Sequence, residues 1–442
     1  MCGINGIISK DKNKDKLIKS MNEKILHRGP DAEGIFVEGD VALGQRRLSI
    51  IDLAGGNQPI YNEDKSILIM YNGEVYNYKE LKEELTEYKF ETESDTEVVL
   101  HGYEKWGHDL PKKLRGMFAY AIYDKNKGEI FISRDQFGIK PLYYYHDGDT
   151  ILFGSEIKSF LAYPKFKKVL NKELLGAYLT FSFTPTDETF FKGVYRLPSG
   201  HSMTIDVKKR KIKIDRYFKV EFGNTDKSFD EVVEEIGTAM KDSTEHHLIS
   251  DVEVGSFLSS GVDSSYLVSL AKPDKTYTIG FDLAKYSEID YAKDLTDKLN
   301  IKNISEKISK EEYMNALSEV YYHMDEPTAD GCAIAVYFLS RLASKDVKVV
   351  LSGEGADEFF GGYNSYDDNF YTKLPFFIRK SMASICKILP KNKITRYIIR
   401  RGLPLEESYV SINRTYYDDE LKDVLKIDNY IKNKDIVKDV YD

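Results

Sequence analysis

The chain has 442 residues, 42% of them apolar, which is enough for two or three domains with their own cores. Its 63 basic and 72 acidic residues give a net charge of −9 and are mixed along the chain, which argues against a nucleic-acid-binding surface. Charges interrupt every long apolar run, so we expect neither a signal peptide nor a membrane span. The cysteines at positions 2, 332 and 386 form neither a disulfide framework nor a metal-ligand spacing, and we therefore expect a cytoplasmic location.

The first half of the chain has the pattern of strands with short connections. Apolar or alternating runs predict strands at Ser66–Met70, Met117–Tyr123, Glu129–Ser133, Pro141–Tyr145 and Ile151–Gly154. Helices are predicted after Lys14, at Tyr78–Tyr88 and near Thr96–Trp106. This mixture predicts an α+β domain with much antiparallel sheet.

The second half has a different rhythm. A polar stretch around Gly223-Asn224 predicts a linker, which we place at 211–230. After it, predicted strands alternate with predicted helices in the order Val252–Leu258, Ser264–Ala271, Thr276–Phe281, Glu288–Leu299, Ala333–Ala343 and Val347–Leu351. Such alternation predicts an α/β domain with a parallel, doubly wound sheet.

Cys2 is the unusual residue of the N-terminus. Removal of Met1 would leave Cys2 with a free α-amine, whose ordinary pKa of about 7.7–8.0 suits a base acting on the adjoining thiol. A single cysteine is a weak motif, and alone we would interpret it as accidental.

Four motifs that follow Cys2 change that interpretation. They are His27–Asp31, Arg47–Asp52, Tyr71–Asn77 and Ser94–Glu97. Each has an ordinary explanation by itself, since Asn72-Gly73 is a good hairpin turn. Together they supply what glutamine needs: an arginine for the α-carboxylate, carboxylates for the α-ammonium, and an amide with a glycine N–H for an oxyanion hole.

In this order the motifs resemble those of class II, N-terminal-nucleophile glutamine amidotransferases. The resemblance covers nearly all of residues 2–200 and implies an αββα sandwich over residues 2–210. It implies that Cys2 is the nucleophile and that Asn72 with Gly73 forms the oxyanion hole. The glutamine-binding residues it implies are Arg47, Leu48, Ser49, Ile50, Ile51, Asn72, Gly73, Glu74 and Asp95.

Two loops carry the predicted chemistry of the second half. Ser259–Ser265 lies between a predicted strand and a predicted helix, where backbone N–H groups and the helix dipole can cradle an anion. An ordinary Ser/Gly turn is the plain alternative. The second loop, Ser352–Tyr363, also follows a strand. In a parallel sheet both loops lie at the carboxyl edge, which can bring Asp263 and Asp357 to one metal ion.

These loops resemble the asparagine synthetase version of the ATP-pyrophosphatase (PP-loop) fold, over residues 231–442. The usual loop is Ser-Gly-Gly-x-Asp-Ser, and Ser260 stands where its first glycine is expected. If that position needs φ > 0, the side chain costs on the order of 1 kcal/mol. The ATP-binding residues implied by the resemblance are Phe257, Leu258, Ser259, Ser260, Gly261, Asp263, Ser264, Ile279, Ser352 and Gly353.

The resemblance also implies a reaction. Aspartate would attack ATP to give β-aspartyl-AMP and pyrophosphate, with Mg²⁺ held by Asp263 and Asp357. Glu354 would handle protons as ammonia attacks the intermediate. The segment 325–330 would face the amino-acid substrate.

One departure keeps alternatives open. Family members continue past the equivalent of Asp442 with a Lys-Val-Asp-Arg-type and a Leu-Glu-x-Arg-type segment, and neither occurs between Tyr363 and Asp442. We therefore expect the synthetase domain to be incomplete at its C-terminus. The alternatives are an asparagine synthetase, a relative that amidates another carboxylate, and a chain with glutaminase activity only. The expected partners are glutamine, aspartate and ATP, without nucleic acid or membrane; the oligomeric state is open, with a homodimer as one alternative.

Overall fold

The computed structural model describes residues 1–282, 287–363, 373–390, 392–404, 416, 418–427, 429–432 and 435–437. The strands are β1 (Gly3–Ile8), β2 (Ala32–Glu38), β3 (Val41–Arg47), β4 (Ile60–Tyr61), β5 (Ile67–Val75), β6 (Gly116–Asp124), β7 (Glu129–Arg134), β8 (Tyr143–His146), β9 (Ile151–Gly154), β10 (Val194–Arg196), β11 (His201–Asp206), β12 (Lys211–Arg216), β13 (Val254–Phe257), β14 (Lys275–Phe281), β15 (Lys302–Ile308) and β16 (Val349–Leu351). The α-helices are α1 (Lys14–Lys24), α2 (Tyr78–Glu84), α3 (Asp95–Trp106), α4 (Leu175–Phe181), α5 (Phe229–His247), α6 (Val262–Ala271), α7 (Ile289–Leu299), α8 (Lys310–Met324), α9 (Cys332–Ala343), α10 (Ala356–Phe360), α11 (Phe376–Cys386), α12 (Lys393–Arg401) and α13 (Asp418–Leu425).

The chain forms two compact units. The first comprises Met1–Lys168, Gly193–Asp325 and Ile334–Ser352, and the second comprises Val169–Lys192, Glu326–Ala333 and Gly353–Asp442. The first unit contains a sandwich of two sheets and a separate parallel sheet.

The sandwich consists of two six-stranded antiparallel sheets. Their strand orders are β10-β8-β9-β1-β3-β2 and β12-β11-β7-β6-β5-β4. One apolar core lies between the sheets and includes Ile4, Leu43 and Met70. A second core lies under α2 and α3 on the outer face of the β5 sheet, and α1 packs against the β1–β3 sheet. The predicted αββα sandwich is therefore confirmed.

Strand β5 shows why the sheets stack. Alternate residues of a strand point to opposite faces. Leu68 and Met70 enter the core between the sheets, whereas Ile69 and Tyr71 enter the core under the helices. Asn72-Gly73 lies inside this strand, paired with Ala119 and Phe118 of β6, so the hairpin-turn interpretation is wrong.

The parallel sheet has the order β15-β14-β13-β16. Its three strand pairs are all parallel. Tyr277 and Phe338 belong to the core that α8 and α9 cover, whereas Val268 and Ala292 of α6 and α7 form a separate core with Leu258. Two separate helix layers pack on this sheet, as predicted for a doubly wound α/β domain.

The predicted linker begins too early. Residues 211–216, which we placed in it, form β12 and pair with β11. Regular structure is absent from 217–228 before α5 begins at Phe229. The alternation of Ile212 and Ile214 is short and flanked by lysines, so its strand signal was weak.

The second unit is held in part by Glu326. This buried carboxylate accepts hydrogen bonds from the Phe190 N–H (3.0 Å) and the Thr184 hydroxyl (3.3 Å). The Ala329 N–H donates to the Ser182 carbonyl at 2.9 Å. Glu326, predicted to face substrate, is therefore occupied by protein donors.

No helix within the described ranges is long and apolar enough to cross a membrane.

A buried ionic network joins the sandwich to α8 inside the first unit. Glu156 accepts from His27 (2.9 Å) and Arg28 (3.0 Å) and also pairs with Lys158. Lys158 pairs in turn with Asp325, the residue that caps α8, at 3.0 Å. Burial would raise the pKa of Glu156, but the His27 bond and the charges of Arg28 and Lys158 outweigh it and lower that pKa to about 2.

We expect Glu156→Gln to destabilise the protein near neutral pH by on the order of 3 kcal/mol, because it removes one partner of a buried ion pair. A depressed folded-state pKa contributes stability that is present above the unfolded value and is lost as pH falls through the folded one. The difference from wild type should therefore shrink between about pH 4.5 and pH 2. Urea denaturation followed by circular dichroism at several pH values measures it.

Glu38→Gln is the matched control. Glu38 pairs with Lys125 at 2.8 Å on the surface, and its loss should cost less than about 1 kcal/mol. Equal losses for the two variants at pH 7 would contradict a stabilising role for the buried network.

Candidate active sites

Cys2 lies directly before β1, beside the end of β3. The antiparallel register pairs Gly3 with Arg46, so Cys2 lies next to the loop that follows Arg47. The Leu48 N–H donates to the Cys2 Sγ at 3.3 Å, and the thiol is 3.5 Å from the Leu48 carbonyl. Arg28 Nε donates to the Cys2 carbonyl at 2.9 Å. The nucleophile predicted from the sequence is thus held from both sides.

The ionisation of this corner follows from its burial. Burial raises the pKa of the Cys2 thiol, while the Leu48 N–H and the chain's terminal ammonium lower it. Burial, with Arg28, lowers the pKa of the Met1 α-amine to about 5. The Met1 α-amine is therefore mostly neutral at pH 7.

Asn72 and Glu74 continue the inner face of β5 beyond its apolar part. Asn72 is 1% exposed. Within the described part of the chain, neither atom of its side-chain amide has a hydrogen-bond partner, and neither does Glu74 Oε2. Buried polar groups in folded proteins are nearly always paired, so these atoms indicate a ligand site. Gly73 between them is required by packing, because a Cβ there would lie 2.5 Å from the Met117 carbonyl oxygen.

Asp95 begins α3, whose N-cap is Ser94. Its carboxylate accepts from the Tyr71 hydroxyl (2.7 Å) and the Val75 N–H (2.9 Å), which holds it against β5. Burial raises the pKa of Asp95, although these donors oppose the shift. Burial and the charge of Asp95 raise the pKa of Glu74 well above its usual range. Asp95 is buried and Glu74 is partly buried, and two neighbouring carboxyl groups in such surroundings favour the binding of a cation.

Arg47 is buried and holds the loop after β3. Its terminal nitrogens donate to the carbonyls of Ile51 (3.1 Å), Asp52 (2.6 Å) and Leu53 (3.4 Å) and to Asn57 Oδ1 (3.1 Å). No carboxylate among the described residues lies within 4 Å of it. Its charge is therefore unpaired, but a carboxylate ligand would have to replace some of these carbonyls.

The backbone of the loop after β3 forms hydrogen bonds with other parts of the protein. This loop contains Leu48, Ser49, Ile50 and Ile51. The Ser49 N–H donates to Asp31 at 2.9 Å, and Lys348, next to β16, donates to the same carboxylate at 2.6 Å. The bond from Lys348 lowers the pKa of Asp31. The Ile50 carbonyl accepts from the Asp251 N–H at 3.1 Å.

The loop between β13 and α6 is bonded mainly to itself. Ser264 Oγ lies 2.8 Å from Ser259 Oγ and accepts from the Ser259 N–H at 3.2 Å. Gly261 is the N-cap of α6, and Asp263 stands exposed in its first turn. Helix N-termini attract anions, so this end of the sheet suits a phosphate.

Ser260 carries no backbone penalty. It is not among the residues with positive φ, so the strain considered for a missing glycine does not arise. Its hydroxyl donates to Glu288 Oε1 at 2.6 Å. Phe257 ends β13, Leu258 is buried after it, and Ile279 is buried in the adjacent strand β14.

The second predicted loop follows β16, which pairs in parallel with β13. Ser352 therefore leaves the sheet at the same edge as Ser259. Gly353, Glu354 and Asp357 belong to the second unit, where Gly355, with φ 94°, precedes α10. Glu354 is exposed. The described residues contain no group of three or more metal-ligating side chains, so the metal assignment of Asp263 and Asp357 stays a prediction.

Lys140 lies near Cys2 but was not among the site residues predicted from the sequence. It is 3% exposed, and burial lowers its pKa to about 8 despite the opposing charge of Glu74. The signal available was a lysine inside the apolar run Ile139–Leu142, where a charge is unusual.

Two family models match the chain. Residues 1–218 match a glutamine amidotransferase domain, and residues 235–430 match asparagine synthase. A relative from Bacillus subtilis, asparagine synthetase [glutamine-hydrolyzing] 1, is 41% identical over 96% of this chain and 70% of its own length. A relative from Methanocaldococcus jannaschii, putative asparagine synthetase [glutamine-hydrolyzing] 2, is 38% identical over 86% of this chain and 79% of its own.

Both relatives are matched across the sandwich and the parallel sheet, and the two domain models occur in the same order as the two sites described above. The chain therefore belongs to the glutamine-hydrolysing asparagine synthetase family.

Proposed function

We propose that this protein makes asparagine from aspartate, with ATP as the energy source and glutamine as the nitrogen donor. The observation that carries the glutaminase half is the buried, unpartnered amide of Asn72 beside the unpartnered Glu74 oxygen. The acceptor carboxylate, aspartate, follows from the names of the relatives.

In the glutaminase site Cys2 acts as nucleophile after removal of Met1. The α-amine accepts the thiol proton, and the sulfur attacks the side-chain carbonyl carbon of glutamine. The Asn72 amide and the Gly73 N–H bond the resulting oxyanion. The C–N bond then breaks, the α-ammonium returns its proton to the departing nitrogen as ammonia, and water hydrolyses the thioester to glutamate.

The remaining sandwich residues hold the substrate's α-groups. Glu74 and Asp95 bind the α-ammonium, whose positive charge offsets the repulsion between the two neighbouring carboxylates. Arg47 binds the α-carboxylate, exchanging carbonyls of its own loop for the new ligand. This exchange orders the loop Leu48–Ile51 around bound glutamine.

In the second site the aspartate side chain attacks the α-phosphorus of ATP and displaces pyrophosphate. Ammonia then attacks the acyl carbon of β-aspartyl-AMP and releases AMP, while Glu354 takes the surplus proton. The backbone of Ser259–Gly261 and the N-terminus of α6 bind phosphate, and Ser352 with Gly353 borders the nucleotide. Phe257 and Ile279 contribute apolar surface for the base.

Mg²⁺ fits the donors that this chain offers. Asp263 is exposed, carries no ion pair within the described residues, and provides the hard carboxylate oxygens that Mg²⁺ prefers. Asp263 and Asp357 would hold the ion, which would neutralise phosphate charge when bound.

The reaction is tested by its products. With glutamine, aspartate and Mg-ATP we expect asparagine, glutamate, AMP and pyrophosphate in equal amounts. Cys2→Ala should abolish synthesis from glutamine and leave synthesis from free ammonia. Hydrolysis of glutamine without asparagine from either nitrogen source would contradict the proposal and favour a glutaminase or another acceptor.

Asn72→Ala should lower the kcat of glutamine hydrolysis by about 10²–10³-fold and change KM less, because an oxyanion-hole donor acts in the transition state. The control is Asn303→Ala, which removes an amide bonded to Thr276 and Thr278 at 3.0 Å outside the site. Steady-state kinetics of glutamate release measures both. A kcat within threefold of wild type for the Asn72 variant would remove Asn72 from the mechanism.

Asp263→Asn should weaken ATP binding in the presence of Mg²⁺ by on the order of tenfold, or about 1.4 kcal/mol, and should matter less without the metal. Asp294→Asn, which removes an exposed pair with Lys298, is the control. Isothermal titration calorimetry with and without Mg²⁺ makes the comparison. Equal affinities of wild type and the Asp263 variant for Mg-ATP would reject the metal assignment.

A further inference from the structure

Lys140 lies on the loop between β7 and β8 and is positioned by two buried charges, Arg134 at the end of β7 and Asp135 at the start of the loop. Asp135 accepts from the backbone N–H groups of Phe118, Phe137, Ile139 and Lys140 at 2.9–3.2 Å. Arg134 Nε donates to the Lys140 carbonyl at 2.8 Å. Gly138, with φ +68°, lets this loop turn close to the Arg134 guanidinium. A segment with this much internal bonding holds its lysine in one place.

The ammonium of Lys140 lacks the partner that a buried cation normally has. In the described structure its recorded partner is the Met1 thioether sulfur at 3.0 Å. No carboxylate oxygen of a described residue lies within 4 Å of its Nζ. Burying a charge without a paired anion is costly, and structural pairing therefore does not explain this lysine. Removal of Met1, which the proposed function requires, would take away even the sulfur.

The charges facing this corner come from four elements. Arg28 ends a short 3-10 helix (Leu26–Arg28) before β2, and Asp31 follows it. Glu74 lies on β5, and Asp135 lies in the same loop as Lys140. Asp95 acts on Glu74 from α3. Formation of a thiolate at Cys2 is opposed by burial and by the charge of Glu74, both of which raise the pKa of the thiol. A cation is needed on the other side of that balance.

We propose that Lys140 is a positioning residue that sets the charge of Cys2, because its buried ammonium favours the thiolate and disfavours the protonated α-amine. The inference rests on the proposed role of Cys2 as the nucleophile and goes beyond it by naming the residue that prepares Cys2 for attack. Burial raises the pKa of the Cys2 thiol, and the charge of Lys140 opposes that shift together with the Leu48 N–H. Burial lowers the pKa of the Met1 α-amine, the terminal amine before Met1 is removed, and Arg28 and Lys140 lower it further.

Glutamine hydrolysis moves one proton twice, and the charge of Lys140 bears on both transfers. The thiol proton passes to the α-amine as sulfur attacks glutamine. The same proton must then pass to the amide nitrogen as the C–N bond breaks. A neighbouring cation makes the α-ammonium the stronger acid and so assists that second transfer.

The test measures the ionisation of Cys2 without needing turnover. The rate of alkylation of Cys2 by iodoacetamide, followed by peptide mapping between pH 6 and pH 11, gives the midpoint of thiolate formation, and the range extends to high pH because burial raises the pKa of this thiol. Removing a cation raises the pKa of a thiol, so we expect Lys140→Met to move the midpoint to higher pH by on the order of one unit. Lys140→Arg, which keeps the charge, should stay near wild type. The acid limb of kcat/KM for glutamine hydrolysis should move in the same direction.

Lys14→Met is the matched control, since Lys14 is also buried but donates to the Asp11 carbonyl at 2.7 Å, away from Cys2. It should leave the midpoint unchanged. Lys140→Gln replaces Lys140→Met where the latter does not fold, with the same reading. An unshifted midpoint in a folded uncharged variant, or an equal shift in the Arg variant, overturns the inference. A wild-type protein that hydrolyses no glutamine overturns the proposed function instead, so the two failures are distinguishable.

Discussion

The stacking of two antiparallel sheets is the constraint on which the first site depends. Their facing surfaces are apolar through most of the sandwich, with Ile4, Leu43 and Met70 in the shared core. The same inner face of β5 becomes polar at Asn72 and Glu74. Asn72 is buried there and its amide has no partner within the described residues, so its hydrogen-bonding capacity is available to a ligand. A solvated loop could carry the same side chains but would not hold them unpaired.

Burial also makes the pairing of charges important in the part of the first unit around Glu156 and Cys2. Glu156 and Lys158 are buried together, and their pairing offsets part of the cost of burying two charges. Near Cys2 the charges are not paired in this way, because carboxyl groups with raised pKa values lie near a lysine whose pKa is lowered. Groups with perturbed pKa values of this kind are typical of sites where a charged substrate pairs with them.

The loop beside Cys2 and the parallel sheet are connected physically inside the first unit. Lys348 precedes β16, whose carboxyl end leads to Ser352, and donates to Asp31 in the first motif after Cys2. Asp325 is bonded to Lys158 and Glu326 to Phe190 and Thr184, so the acidic pair that we expected to face a substrate is used for structure. The sequence of two acidic residues beside a proline does not show whether their carboxylates bind a substrate or pair with buried groups of the protein. The residues around them in the folded structure determine which of the two occurs.

The sequence by itself determined the two fold classes, the order of the domains and the residues around Cys2, because periodicity and motif order are local properties of the chain. The placement of Asn72 inside a strand, the use of Arg47 on its own loop and the burial of Lys140 were decided by the tertiary structure. Asn72 and Lys140 depend on residues far away in sequence, such as Phe118 beside Gly73 or Met1 beside Lys140, whereas Arg47 depends on how the loop that follows it folds back. Whether a polar group is satisfied or left free for a ligand is a property of its surroundings in space, and a linear pattern does not contain that information.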